Sequence, residues 1–478
     1  MAEDRQIQDD QAPDSSAQSW PGMARRVVSA LAIDTTPLRI SHDYRLLFTG
    51  QFVSAFGSAV SYVVLPWQMY QLAKADYSQS QASFLVGMLG VAEFVPMLVL
   101  AFVGGALADY FDRRRMILLT ETGMALCCGA LVVNSLLPQP RIPALFVIAA
   151  LFAACNALHR PALDALTPRI VPAELMTAVG ALNSFRYSFT FIVGTSLAGV
   201  ITSRFGAAVG YALDGCTFLI SLVALLLMRA VPPPEGAERP SLSGIADGLR
   251  YARSRQELLG TYLIDLNAMF FGMPMALFPA IAESFGANTV GLLYAMPAVG
   301  SLVVTLTSGW TERINRHGLA VTLAAAVWGA AIVGFGLAKN LWLALFFLAV
   351  AYGADTVSGI FRMTIWNQTI PDRLRGRLAS IEMISYLTGP YLGNAEAGLV
   401  ASLIGLRGSV VSGGVLCVIG SGVLALLLPR FISYDGRAGL ARRQAEEAAL
   451  LKSDEREGAH RTGAEAFDFD RHGEESEV

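Results

Sequence analysis

The chain has 478 residues, of which 54% are hydrophobic and only 15% are charged, and its mean hydropathy is +0.50. Soluble globular domains have roughly a quarter of their residues charged, so this composition excludes an ordinary soluble fold. The net charge of -3 is nearly neutral and gives no reason to expect a nucleic-acid partner. The five cysteines all lie in apolar stretches without a CxxC pair, so we expect packing residues and no metal site.

Apolar stretches of about twenty residues, the length that crosses a bilayer, follow one another along the chain. The first six are predicted at about 44–72, 82–108, 114–137, 142–164, 174–200 and 208–230. The second six are predicted at about 257–283, 287–311, 318–338, 341–367, 376–403 and 408–430. The pattern predicts an all-α membrane protein in which about twelve transmembrane helices form two pseudo-symmetric bundles.

The stretches between and around the spans predict the domain organisation. Residues 1–43 are polar and acid-containing, unlike a signal peptide, and are interpreted as a cytoplasmic tail. The N-terminal bundle is predicted over 44–230, and a proline-containing linker over 231–256 separates it from a C-terminal bundle over 257–430. Residues 431–478 are predicted to form a second, solvated tail.

Arginines mark one side of the predicted membrane. The connections after the even-numbered spans contain most of them, as in Arg113 to Arg115, whereas each odd-numbered connection has at most one basic residue. Short loops rich in Lys and Arg stay in the cytoplasm. We therefore expect both termini to be cytoplasmic, in a bacterial inner membrane.

Two pairs of loops repeat between the halves. Gly105–Arg113 after span two is similar to Ser308–Arg316 after span eight, and Val171–Leu175 after span four is similar to Ile370–Leu374 after span ten. An internal repeat of this kind indicates two halves built on one plan.

The loop GGALADYFDRRR, from Gly104 to Arg115, resembles the signature loop of the major facilitator superfamily of transporters. The resemblance implies a cytoplasmic gate built from Gly105, Asp109, Arg113 and Asp164, in which the acids pair with Arg113. An acid at Asp109 also suits the positive end of a helix. The alternative is that the arginines only fix the topology.

The spans from Tyr44 to Arg430 are similar to the branch of that superfamily that contains the enterobactin exporter and macrolide-type efflux pumps. The similarity lies in stretches such as Tyr44–Phe52 and Gly291–Pro297. Three features depart from drug/proton antiporters. Thr195 stands where span five often has a proline, span four lacks a buried arginine, and span one has no acid between Gln51 and Gln68.

Ionisable side chains inside a membrane are costly and usually pair, face a cavity or take part in transport. The candidates for proton coupling are Asp265, Asp355, Glu93, Glu382 and Glu396. The first two are the leading candidates, because an acid that alternates between an arginine and water can couple proton flow to conformation. A static buried ion pair is the alternative for each, and for Asp214 it is the preferred interpretation.

The path between the halves is predicted to be lined by spans one, four, seven and ten. The lining candidates are Gln51, Gln68, Asn156, Arg186, Asn267, Phe271 and Trp366. Arg186 is a possible partner for Glu93 or an anchor for an anionic substrate, and Phe271 is equally compatible with a lipid-facing position. Gly272–Pro274, Met296–Pro297 and Gly389–Pro390 are predicted bend points.

These features lead to a proton-coupled exporter of an amphipathic small molecule, either siderophore-like or a drug, as the first hypothesis. A downhill facilitator or proton-symport importer is the second. An enzyme is not expected, because no nucleotide loop or nucleophile–base pair is present. No cofactor is expected, and the partners are a small-molecule substrate, protons and the bilayer, with the chain acting as a monomer.

Overall fold

The computed structural model describes residues 34–110, 112–229, 253, 255–370, 372–437, 439 and 441, without the side chains of 101–110 and 372–387. Most of both predicted tails and of the predicted linker therefore lies outside the described residues. Within the described part, all regular structure is helical apart from one isolated bridge between Arg316 and Asp435.

Six long helices form the N-terminal half. They are α1 (His42–Ala73), α2 (Gln79–Tyr110), α3 (Arg113–Leu136), α4 (Ile142–Ile170), α5 (Met176–Phe205) and α6 (Ala207–Leu227). A short helix, Thr36–Ile40, precedes α1. Each helix contains most of a predicted span, and the observed ends differ from the predicted ones by at most about two turns.

Six further helices form the C-terminal half. They are α7 (Gln256–Phe285, interrupted), α8 (Val290–Thr307), α9 (His317–Leu337), α10 (Leu341–Thr369), α11 (Asp372–Ile404) and α12 (Leu406–Leu427). Among the described residues, 11 helices are long and apolar enough to cross a membrane. The remaining helix, α11, is 33 residues long and is described only in part. The predicted fold class, an all-α membrane protein, is confirmed, and α11 completes a set of twelve long helices among the described residues.

Side chains at the helix starts explain where several helices begin. Asp112 accepts hydrogen bonds from the backbone N–H groups of Arg114 and Arg115, at 2.9 and 3.3 Å, and so caps α3. Asn340 caps α10 in the same way through Leu343 N, at 2.9 Å. Such caps satisfy donors that have no partner within the first turn.

Equivalent turns in the two halves contain glycines with positive φ. Gly206 joins α5 to α6 with φ 80°, and Gly405 joins α11 to α12 with φ 83°. Only glycine adopts this conformation without steric cost. The repeat predicted from two loops therefore extends to a third connection.

Helix α7 is interrupted where a bend was predicted. Its first segment ends at Phe271, a 3₁₀ turn covers Met275–Leu277, and the second segment begins at Phe278. The side-chain oxygen of Asn394 on α11 accepts a hydrogen bond from the freed Ala276 N–H at 2.9 Å. Pro297 and Pro390, at the other two predicted bends, lie inside uninterrupted helices.

Two glycine-lined seams join the halves. In the first, α5 meets α8, and a Cβ on Gly199 would lie 2.6 Å from the Asn288 carbonyl oxygen. In the second, α2 meets α11, and a Cβ on Gly398 would lie 3.0 Å from Phe84 Cα. Both seams lie toward the end of the bundle opposite the arginine-containing loops. We call these two ends the arginine-rich end and the opposite end.

Candidate functional site

At the opposite end, side chains of α1 close on the last segment of α7. Glu283 accepts hydrogen bonds from Lys74 Nζ at 2.7 and 2.8 Å, from Tyr70 Oη at 3.0 Å and from Gln71 Nε2 at 3.0 Å. We call these four residues the outer lock. Because α1 and α7 belong to different halves, the outer lock closes the path between the halves at this end.

An aromatic group is centred on Tyr62, which lies about two turns along α1 from Tyr70 of the outer lock. The ring of Tyr62 on α1 is 5.4 Å from that of Phe191 and 5.7 Å from that of Tyr294 on α8. Tyr62 Oη also approaches Met275 Sδ at 3.4 Å. The Tyr62 side chain still has 45% of its surface exposed, and Tyr187, stacked on Phe191, has 60%. This group, which the sequence analysis did not name, offers a bulky ligand aromatic faces and hydroxyl groups.

The two leading proton candidates meet on one arginine. Arg362 on α10 forms an ion pair with Asp265 on α7, and its Nη2 lies 3.5 Å from Asp355 Oδ1. The side chains of Asp265, Arg362 and Asp355 are 8%, 18% and 34% exposed, respectively. We call these three residues the triad. Asp265 is the most buried member of the triad, whereas Asp355 is the most exposed.

The other proton candidates stand apart from the triad. Glu93 and Glu396 are half-buried, and neither has a hydrogen bond or ion pair within the described part of the chain. The Glu382 side chain lies outside the described residues. A role for these acids therefore stays a prediction.

A second polar group, which we call the inner layer, lies within the N-terminal half. Gln51 Nε2 donates to Glu121 Oε1 at 2.5 Å, Ser221 Oγ donates to the same oxygen at 3.0 Å, and His159 Nε2 lies 4.0 Å from it. Arg186 Nη1 donates to the Gln51 carbonyl at 3.4 Å. These five residues, with Thr120, come from α1, α3, α4, α5 and α6. Sequence reasoning had named Gln51 and Arg186 only.

Two of the predicted lining residues bond within their own half. Gln68 bridges Ser135 and Tyr211, both at 2.8 Å, and is 7% exposed. Asn267 Nδ2 donates to the Cys417 carbonyl at 3.0 Å. Their amide groups hold helices of one bundle together, which limits what they can offer to a ligand.

The remaining lining candidates differ in exposure. Trp366 is 9% exposed, donates to Thr261 Oγ1 at 2.8 Å, and its ring centroid lies 5.1 Å from that of Tyr262 in a tilted arrangement. Phe271 is half-buried with its ring 5.0 Å from that of Phe270, and Asn156 is exposed. Arg186 lies at the inner layer, where it contacts Gln51. None of these positions joins the triad.

The predicted gate is described only in part. The side chains of Gly105 and Asp109 lie outside the described residues, and Asp164 is exposed. Arg113 Nη1 donates to the Ala165 carbonyl on α4 at 2.9 Å. Arg114 donates to the Leu225 and Leu226 carbonyls on α6, at 3.0 and 2.9 Å. Arg114 thus bonds two of the last carbonyls of α6 and also complements the dipole of that helix, whereas a role of these arginines in topology stays a prediction.

Asp214, interpreted from sequence as structural, is fully buried between α1, α3 and α6. Ser58 Oγ donates to its Oδ1 at 3.2 Å and Cys128 Sγ to its Oδ2 at 3.4 Å. No group of three or more His, Cys, Asp or Glu residues in the described part of the chain is arranged to hold a metal ion.

Comparison with known proteins gives consistent matches. Residues 32–458 match the family model described as transmembrane secretion effector. The enterobactin exporter EntS of Citrobacter koseri is 28% identical over 393 residues, covering 82% of this chain and 93% of that protein. EntS of Shigella boydii is 27% identical over 394 residues, covering 82% and 92%.

Solved structures share the fold at low identity. The nucleoside transporter NupG superposes with a TM-score of 0.62 at 13% identity, covering 82% of this chain and 100% of that one. A bacterial homologue of the human lysosomal transporter Spinster, solved in an inward-facing and unoccupied conformation, gives 0.63 at 15% identity, covering 82% and 98%.

Proposed function

The chain belongs to the transmembrane secretion effector family of the major facilitator superfamily, and from this premise we propose that it exports an amphipathic small molecule in exchange for protons. It is a multi-pass membrane transporter, and a small molecule is its substrate. We further propose that it lies in the bacterial inner membrane with both termini in the cytoplasm. The path lies between the two halves of one chain, which supports function as a monomer.

The observation that carries the proposal of proton coupling is the triad. Two carboxylates and one guanidinium leave a net negative charge beside the path, and one proton on Asp355 makes the group neutral. Neutralisation lowers the cost of closing a low-dielectric interior around the group. Arg362 then keeps its ion pair with Asp265 while the charge of Asp355 is gone, so proton binding also weakens the electrostatic attraction between Asp355 and Arg362 within α10.

The outer lock supports an inward-facing state. If the arginine-rich end is cytoplasmic, the lock and both glycine seams close the external side of the path. Substrate then enters from the cytoplasm and reaches the aromatic group and the triad. Export requires the outer lock to open, and the return to the inward-facing state follows proton uptake from outside.

The cargo proposal rests on the aromatic group and on the relatives. Tyr62, Tyr187 and Tyr294 offer aromatic faces with hydroxyl groups, and Met275 adds an adaptable apolar surface. Such a lining suits a bulky amphipathic ligand better than a sugar or an ion. Because relatives at 27–28% identity are named enterobactin exporters, we propose a siderophore-like metabolite or a drug of similar size.

The test uses proteoliposomes with an imposed pH gradient and enterobactin as the first probe, followed by a panel of amphipathic drugs. We expect uptake into inside-out-oriented vesicles that falls when the gradient is collapsed. Asp355→Asn should remove the dependence on the gradient, whereas Asp214→Asn, a buried acid away from the path, should preserve it. Flux that is the same with and without the gradient would favour the downhill facilitator.

A further inference from the structure

The inner layer contains a carboxyl group whose two oxygens differ sharply in their surroundings. Glu121 has no exposed surface. Its Oε1 receives hydrogen bonds from Gln51 and Ser221, whereas its buried Oε2 has no hydrogen-bond partner. A buried carboxylate with an unsatisfied anionic oxygen is costly. Burying a protonated carboxylic acid costs less free energy, since its second oxygen is an uncharged carbonyl.

The hydrogen bonds of Thr120 fix one nitrogen of His159. The single hydrogen of the Thr120 hydroxyl is used by the carbonyls of Met116 and Ile117, at 2.9 and 3.0 Å. When that hydrogen is held by one of these carbonyls, the 3.1 Å contact between Thr120 Oγ1 and His159 Nδ1 has Nδ1–H as its donor. A neutral His159 then has a bare Nε2.

Gln51 bridges this nitrogen and the carboxyl group. His159 Nε2 lies 3.4 Å from Gln51 Oε1, and Gln51 Nε2 lies 2.5 Å from Glu121 Oε1. A side-chain amide has two orientations that exchange its oxygen and nitrogen. With the present orientation, His159 must be an imidazolium and Glu121 a carboxylate. With the amide turned over, Glu121 O–H donates to Gln51 and Gln51 N–H donates to a neutral His159.

The surroundings favour the neutral arrangement. Arg186 on α5 approaches the layer from behind Gln51, so its positive charge opposes an imidazolium at His159. On α6 the layer meets Ser221, and the acid Asp214 lies about two turns away with its own partners. On α4, Cys155 faces Gly123. Among the described residues, α2 gives Glu121 no hydrogen bond or ion pair.

We propose that Glu121, Gln51 and His159 form a proton-binding site in the N-terminal half, separate from the triad. In the state that the structure represents, the proton is on Glu121, and the Gln51 amide has its oxygen toward Glu121 and its nitrogen toward His159. In the second arrangement the O–H bond of Glu121 breaks, an N–H bond forms at His159 Nε2, and the amide turns back. The same single proton is kept, so no co-reactant is needed. Its use in transport rests on the proposed function.

Infrared spectroscopy of the full-length protein in lipid bilayers at neutral pH tests this site without any substrate. We expect a carbonyl stretch of a protonated carboxylic acid that disappears in Glu121→Gln and persists in Asp214→Asn. An unchanged spectrum in Glu121→Gln would overturn the proposal. If Glu121→Gln does not fold, Glu121→Asp should shift the band, and an unmoved band would again overturn it.

The infrared spectrum of the His159→Gln variant shows whether the proton is on Glu121 or on His159 in the resting state. If Glu121 is already protonated, the variant keeps the acid band of the wild type. A band that is absent from the wild type and appears only in His159→Gln would mean that the resting state is an ion pair, and it would overturn the assignment. Because neither spectrum depends on transport, gradient-independent flux would contradict proton-coupled export while leaving this site in place.

Discussion

The two halves place polar groups at similar depth, but these groups differ in burial and in charge. Gln51 on α1 and Asp265 on α7 both lie about two and a half turns from the arginine-rich end of their helices. In the N-terminal half an amide bridges a fully buried acid and a histidine. In the C-terminal half an arginine bridges two acids, and one of them is 34% exposed. The two halves, built on one plan, thus hold a fully buried, amide-bridged group, the inner layer, and a partly exposed, charged group, the triad.

The largest effect is expected from removing the positive charge of Arg362, which holds the triad together. Arg362→Gln leaves Asp265 buried without its cation, which costs roughly 3–5 kcal/mol when one partner of a buried pair is lost. We expect gradient-driven transport to be lost and thermal stability in detergent to fall. The double variant Asp265→Asn/Arg362→Gln should regain most of the stability but not the transport. Wild-type transport in either variant would contradict a role for the triad.

A smaller effect is expected from adding an acid to the inner layer, which makes it resemble the triad. Gln51→Glu replaces the amide that bridges Glu121 and His159 and puts a second acid beside Glu121, at a cost of roughly 1–3 kcal/mol. Thermal unfolding measured against pH should show the loss shrinking in acid, where the added carboxyl is neutral. Gln51→Met, of similar size, is the control that removes the bridge without adding an acid. Equal stability of Gln51→Glu and wild type would mean that the layer has room for another charge.

The smallest effect is expected at the outer lock, because Lys74 is 46% exposed. An exposed ion pair contributes about 1 kcal/mol or less. Glu283→Gln should therefore shift the population toward the outward-open state by no more than about fivefold. Distances between spin labels at the opposite end would measure the shift, with Asp76→Asn as an exposed control. A complete loss of the inward-facing state would show that the lock does more than an exposed pair can.

The sequence was sufficient for the architecture because each membrane span must be about twenty apolar residues long. The interruption at Gly272–Pro274 was among the predicted bends, since proline lacks the N–H that a helix needs, but Pro297 and Pro390, named for the same reason, lie inside uninterrupted helices. The acids Asp265 and Asp355 could be named as costly side chains in apolar stretches. Each of these inferences depends on neighbours along the chain.

The partners of those acids could not be predicted in the same way. Arg362 follows Asp355 by about two turns, but its ion pair with Asp265 depends on how α7 and α10 are rotated. Glu121 and His159 are single polar residues in apolar helices, and only packing shows that Gln51 lies between them. Helices that are apolar on all sides give little periodic signal for their rotation.

The interruption of α7 gives that helix two mechanically separate pieces. Asp265 belongs to the piece before Gly272, whereas Glu283 belongs to the piece that begins at Phe278. A continuous helix transmits a tilt along its whole length, but a 3₁₀ turn with freed backbone groups can pivot. We expect this turn to let the piece that contains Asp265 move independently of the piece that contains Glu283. Asn394 on α11 accepts a hydrogen bond from Ala276 in this turn, so α11 supports the point at which the two pieces of α7 meet.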